Sequence, residues 1–258
     1  METLLGAVLA IWTFAVGTAG TPRGEPACAV TSILVYHRFA TTVADSMTVR
    51  VATFRAQLAY LQQHHYPVVT LRALVACLNH GPAIPAGAVV LTADDGHKSV
   101  FTEMLPLARE FDVPVTLFVY PSAISNASYA LTWDQLSTLR RSGQFDIQSH
   151  TYWHPNFKVE RRRLGPEAYR AFATAQLAKA RTVIEKRIGV EPDLLAWPFG
   201  IYDDQLIAIA HAVGYQAGFT LQRRVVTPHD AIMALPRFLV TDDAIGGRFA
   251  AMLPERVR

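Results

Sequence analysis

Cysteine is nearly missing from this chain, with two residues in 258, and neither Cys28 nor Cys77 has a second Cys or a His at ligand spacing. That excludes a cysteine-based metal site. Cys28 and Cys77 can pair in an oxidising compartment, but Cys77 lies in the apolar helical stretch Leu74-Val-Ala-Cys-Leu78, where a buried free thiol is the expectation. Lysine is also scarce, 4 residues among 24 basic ones, and the net charge is only +3. With no basic–aromatic nucleic-acid motif either, no nucleic-acid role is expected. No repeat or low-complexity run is present, which argues against solenoid and disordered classes. No linker divides the chain.

What is abundant is apolar sequence, 51% of residues, enough for one large core of the size an α/β barrel commonly needs. Strand-like runs at 32–36, 88–93, 113–120, 144–149, 194–198, 216–221 and 235–240 alternate with helical patterns. The rhythm predicts a single distorted (β/α) barrel of about seven units. Phe54, Leu58 and Leu61 share helical spacing, Glu167 to Arg187 reads as a long amphipathic helix ended by Gly189, and Asp203 or Asp204 is expected to cap another. Arg161-Arg-Arg163 reads as a solvated helix start.

Residues 4–19 are an apolar run followed by small residues and Pro22, which suits a secretory segment. Only Glu2 is charged ahead of it. Residues 1–25 are therefore expected to be a signal peptide or an N-terminal anchor, with membrane association through that segment in the second case, and 26–258 the functional domain. About 16 apolar residues are slightly short for a membrane span. Export to the periplasm, envelope or exterior is expected.

The chemistry is concentrated in two segments, Leu91-Thr-Ala-Asp-Asp-Gly96 and Ser149-His-Thr-Tyr-Trp-His154. Each follows a strand-like run, so both are expected at strand ends. Side chains alternate along a strand, so Asp94 and Asp95 face different ways unless the strand has ended; one can bind a metal while the other faces a substrate. The spacing of His150 and His154 suits one side of a helical turn. Two His and one carboxylate leave open positions on zinc or another first-row metal, Co2+, Ni2+ or Fe2+ included.

With Trp197-Pro-Phe-Gly200, these segments resemble the first three motifs of the polysaccharide deacetylases, the NodB-like domains of carbohydrate esterase family four, in order across roughly residues 33 to 245. Ile33-Leu-Val-Tyr-His-Arg-Phe39 is similar to the start of the bacterial branch acting on poly-N-acetylglucosamine, where the catalytic histidine motif stands first. The resemblance implies Asp94 as general base, Asp95, His150 and His154 as ligands of a divalent metal, His37 as the acid toward the leaving amine, and the Phe199 N–H as an oxyanion donor.

Three departures matter. Ala93 stands where the family has an aromatic. Leu195-Ala-Trp197 lacks the arginine that orients the catalytic Asp. Arg237, in Leu235-Pro-Arg-Phe-Leu-Val240, is the proposed replacement, the other reading being a surface arginine at the barrel rim. The acidic residue that tunes the histidine has only Asp242 and Asp243 as candidates by position, and a helix cap explains them equally. Trp153 and Trp197 are candidates for sugar stacking, with buried packing the commoner role.

The expected activity is metal-dependent removal of N-acetyl groups from an N-acetylhexosamine polysaccharide. The alternatives are deacetylation of peptidoglycan or chitin oligomers, or a glycan-binding module that keeps the metal site without turnover.

Overall fold

A computed structural model of the chain describes residues 28–255. The expected N-terminal leader, residues 1–25, lies outside them. In chain order the strands and helices are β1 (Ser32–Tyr36), β2 (Arg38–Ala40), β3 (Thr48–Arg50), α1 (Val51–Gln63), α2 (Leu71–Leu78), β4 (Val89–Ala93), α3 (Leu105–Glu110), β5 (Val115–Val119) and α4 (Trp133–Arg141). There follow β6 (Phe145–Ser149), α5 (Phe157–Arg163), α6 (Pro166–Ile188), β7 (Leu194–Ala196), α7 (Asp204–Val213), β8 (Ala217–Phe219), β9 (Phe238–Leu239) and α8 (Gly247–Ala250).

Seven strands form one sheet in the order β8-β7-β6-β5-β4-β1-β9, and every pairing in it is parallel. Parallel strands are covered on both faces, so most of their sequences are continuous apolar runs; β6, Phe-Asp-Ile-Gln-Ser, is the exception. β1, β4 and β5 are buried at every position. The sheet curls until its two edges meet on one segment. Leu235 bridges to Phe219 beside β8, and Phe238 and Leu239 pair with Leu34 and Val35 of β1. Arg237 is held between those two attachments.

All seven strands of the expected βα rhythm are present, the first with the expected bounds and the other six shorter. The small pair β2–β3 is an addition that three-residue strands do not announce. The helices end where the sequence says they should. Gly189 adopts a left-handed φ of 68° after α6, and the Asp203 side chain accepts the N–H of Leu206 at the start of α7, satisfying groups a helix leaves unpaired. Arg161 to Arg163 close α5 instead of starting a helix; Arg161 pairs with Asp203 and Arg163 with Glu160.

Cys77 is not a free thiol. It is disulfide-bonded to Cys28, with 5.6 Å between the Cα atoms. The apolar face of α2 that hides Cys77 packs in the same cluster as Ile33, Leu71, Leu74 and the segment entering β1, so burial and pairing have one cause. Among the described residues, no helix is long and apolar enough to cross a membrane.

Candidate active site

Four strands deliver the chemical groups to one end of the sheet, at their C-terminal ends, where the loops of such barrels carry function. His37 follows β1, Asp94 and Asp95 follow β4, His150 and His154 follow β6, and Phe199 follows β7. The Asp94 N–H still donates to Tyr36 O at 2.9 Å, and the His150 N–H to Val119 O at 2.8 Å. Both residues are thus fixed by the sheet one position past its formal end.

The backbone then breaks sharply. Asp95 has φ 71°, Thr151 65°, His154 61° and Phe199 56°, in the left-handed region that side chains with a Cβ adopt at a cost. Four of the eight such non-glycine residues described lie here, and strain concentrated in this way marks a functional region. It also answers the question of the adjacent carboxylates: the strand ends at Ala93, and with the left-handed turn at Asp95 both carboxylates reach His150 Nε2, Asp95 at 3.6 Å and Asp94 at 3.8 Å. Gly96 completes the turn with φ 74°, and a Cβ there would sit 3.1 Å from Val119 and Ile124 side-chain atoms.

One ligand-capable atom each from Asp95, His150 and His154 lie within 4.8 Å of one another. His150 Nε2 is 3.6 Å from Asp95 Oδ1, and His154 Nε2 is 3.8 Å from the same oxygen. The His150 Nδ1–H donates to Ala196 O at 2.8 Å, which fixes the tautomer and leaves the Nε2 lone pair facing the cluster. Burial pushes the His150 pKa down to about 3 and lowers that of His154, so both rings are neutral, the form that binds metal. Burial raises the Asp95 carboxyl. This donor set, three inward-facing groups with one side open, fits a divalent cation.

The two histidines meet by a route other than the helical turn their spacing suggests. Residues 150–154 contain no helix. The chain leaves β6, passes through left-handed Thr151, and returns at left-handed His154. Among the bonds that hold that loop, Thr151 Oγ1 accepts the His154 N–H, Gln176 Oε1 accepts the Trp153 backbone N–H, and the Tyr215 hydroxyl donates to Ser149 Oγ at 2.6 Å.

Asp94 is 1% exposed and Arg237 is fully buried, so Arg237 is not a rim arginine. Its guanidinium donates to both carboxylate oxygens of Asp94, at 2.9 and 2.7 Å, while its Nε–H donates to Thr220 O at 3.0 Å. Burial pushes the Asp94 carboxyl up, but the Arg237 guanidinium, by its charge and its hydrogen bonds, overcomes it and holds the pKa down at about 2. Asp94 Oδ2 also lies 3.8 Å from His150 Nε2, placing an ionised carboxylate beside the donor set.

His37 is nearly buried, and its Nδ1 has no hydrogen-bond partner. It lines a cavity of about 280 Å3 with Arg38, Asp95, His97, Tyr120 and Tyr129. Asp242 and Asp243 do not reach it. Asp242 accepts the Arg50 and Thr53 donors at the start of α1, and Asp243 pairs with Arg248. The Phe199 ring packs edge-on against His154, centroids 4.5 Å apart, and is half exposed. Trp197 is fully buried with its indole N–H on Met233 O, so it packs and does not stack on sugar. Trp153 is exposed.

A parallel-strand barrel with a two-His, one-carboxylate cluster that could hold a metal and a separate ion-paired carboxylate is an arrangement suited to hydrolysis. The chain belongs to the polysaccharide deacetylase family, whose profile matches residues 83–218, just over half of its length. It is an enzyme of that kind, one that hydrolyses N-acetyl amide bonds. Among its relatives, a poly-beta-1,6-N-acetyl-D-glucosamine N-deacetylase of Staphylococcus epidermidis is 26% identical over 195 residues, 74% of this chain and 67% of that one. Two solved structures share the fold. The Streptococcus pyogenes deacetylase PplD in complex with acetate has TM-score 0.78 at 19% identity, covering 88% of this chain and 100% of its own. IcaB from Ammonifex degensii has TM-score 0.77 at 24% identity, covering 88% and 97%.

Proposed function

We propose that this deacetylase acts on a poly-β-1,6-N-acetylglucosamine-like chain and that Asp95, His150 and His154 hold the divalent ion it needs. The observation that carries the reading is the three-residue donor cluster lying against an ionised Asp94 locked by Arg237. The substrate follows from the staphylococcal relatives. Zn2+ is the assigned ion; Co2+, Ni2+ and Fe2+ suit the same donors.

A divalent ion in such a site lowers the pKa of water and polarises the amide carbonyl. Asp94 is the general base: ionised and fixed by Arg237, it takes the proton from the attacking water as the new C–O bond forms. His37 is the general acid, giving its proton to the departing nitrogen as the C–N bond breaks, so that acetate and a free amine result. The Phe199 N–H is assigned to the developing oxyanion, a reading its left-handed φ supports by turning the peptide plane at that position. Arg237 is a positioning residue acting through Asp94. The binding-module alternative rested on the arginine missing from Leu195-Ala-Trp197, and the guanidinium on Asp94 removes that motive.

Residues 1–25 are assigned as an export signal or anchor and 26–258 as the catalytic domain. The Cys28–Cys77 disulfide supports an exported, oxidising location. The test is acetate release from β-1,6-linked N-acetylglucosamine oligomers, chitin oligomers and peptidoglycan fragments by zinc-loaded protein. Preferential release from the β-1,6 chain is expected; preference for either of the others would overturn the substrate assignment.

A further inference from the structure

Three large aromatic side chains stand out as exposed among the described residues, Tyr129, Trp153 and Phe199, and all three border the donor cluster. Two of them face a groove that the chemistry above does not use. This groove, about 500 Å3, is lined by Tyr120, Ser122, Asn126, Tyr129, Trp153 and His154 with two alanines. It shares His154 with the donor cluster and Tyr120 and Tyr129 with the cavity beside His37. The two hollows therefore lie side by side, divided by the Tyr120–Tyr129 hydroxyl pair at 2.5 Å.

The walls of the groove are fixed. The Trp153 ring packs edge-on against Phe172, centroids 5.9 Å apart, and the backbone N–H of Trp153 donates to Gln176 Oε1. Tyr129 is stacked over His97 and tied to Tyr120. An exposed aromatic held this rigidly costs little entropy when something stacks on it. The polar complement is present as well. Asn126 Nδ2 donates to Ser122 O at 3.0 Å, leaving its Oδ1 and the Ser122 hydroxyl as groups for an incoming ligand. Apolar faces alternating with hydroxyl and amide groups are what a pyranose ring carrying an acetamido group presents.

We propose that this groove is a second sugar subsite, binding the N-acetylhexosamine unit next in the chain to the one being deacetylated, with Trp153 as its stacking platform and Asn126 and Ser122 as polar contacts. The proposal rests on the deacetylase reading and deepens it: the enzyme engages a chain and not a single sugar. Trp153 sits between the two metal-ligand histidines in sequence, so one short loop sets both the chemistry and the grip on the neighbouring unit.

The test compares β-1,6-linked N-acetylglucosamine pentamer with 4-nitrophenyl acetate, which has no second sugar, on zinc-loaded protein, and follows pentamer binding to metal-free protein by calorimetry. Trp153→Ala is expected to raise KM for the pentamer about tenfold, at least five times more than it changes turnover of the small ester, and to weaken calorimetric binding by the same factor. Trp153→Phe is expected to recover most of the loss, and Asn126→Ala to show a smaller loss in the same direction. Equal losses on both substrates, or pentamer binding unchanged in Trp153→Ala, would overturn the subsite while leaving the deacetylase standing. Wild-type protein that binds the pentamer through Trp153 yet releases no acetate would keep the subsite and remove the catalytic reading.

Discussion

Arginine–carboxylate clusters stand at both ends of the sheet, and they are built to opposite rules. At the N-terminal ends of the strands, Arg72 reaches Asp146 at 2.8 Å and Asp193 at 3.0 Å, and Gln148 binds both oxygens of Asp146 and the N–H groups of Asp193 and Leu194. The Arg72 side chain is 47% exposed, so these charges remain hydrated and answer one another. At the C-terminal ends, Arg237 and Asp94 are sealed from solvent, while the donor atoms beside them face an opening. The lower cluster ties elements together; the upper one keeps a carboxylate charged where burial would neutralise it. Four left-handed non-glycine residues accompany the upper cluster, and none belongs to the residues of the lower one.

The sharpest way to break this contrast is to change one charge at the top. Asp94→Asn should reduce acetate release by about a thousandfold, within the range for a lost general base, while elemental analysis still finds the ion bound. His150→Ala should lose ion and activity together. Stability comes next. Arg237→Ala leaves Asp94 buried without its partner and should cost about 3–5 kcal/mol in urea unfolding, as breaking buried pairs does. Arg237→Lys should recover part of this, since an ammonium restores charge without the two-pronged fit. Loss of the disulfide in Cys77→Ala should cost about 2–4 kcal/mol, visible as a lower Tm under oxidising conditions only.

A pH titration reads the upper end. His150 has its folded pKa pressed down to about 3, so the unfolded chain binds its proton first. Stability of metal-free protein is then fully present above the unfolded value near 6.5 and falls as pH drops from there toward 3, by about 1.4 kcal/mol per pH unit for one proton. His150→Gln should flatten that slope. The smallest effect belongs to the lower cluster: Arg72→Ala should cost under about 1 kcal/mol, as exposed pairs do, with acetate release at wild-type rate.

The same contrast explains what could be read from the residues alone. Most of the seven strands announce themselves as apolar runs, and although β6 carries Asp146, Gln148 and Ser149 it still reads as strand-like; Asp94, Asp95, His150 and His154 follow β4 and β6, so their convergence follows from strand direction. Arg237 was legible as a candidate because it lies in a late strand-like run, but its role against a rim position depends on that run bridging both sheet edges, a tertiary fact. The His150–His154 loop misleads because four-residue spacing is shared by a helix and by a turn through left-handed Thr151. Tyr215 under Ser149, Gln176 under Trp153 and the Tyr120–Tyr129 pair carry no local pattern. The only available hint was that Tyr120 follows directly on the β5 run. Cys28 and Cys77 were separable only by knowing that α2 packs beside the entry to β1.

The upper cluster is proposed to hold an ion, with Asp94 working beside it. Zinc titration into chelated wild-type and Asp94→Asn protein, with acetate release from β-1,6-linked N-acetylglucosamine oligomers followed at each point, tests it directly. Wild-type release that saturates at one zinc per chain, with the variant binding the same zinc and releasing almost nothing, is the predicted result. Release that is independent of zinc, or that survives in Asp94→Asn, would remove the ion or Asp94 from the reaction.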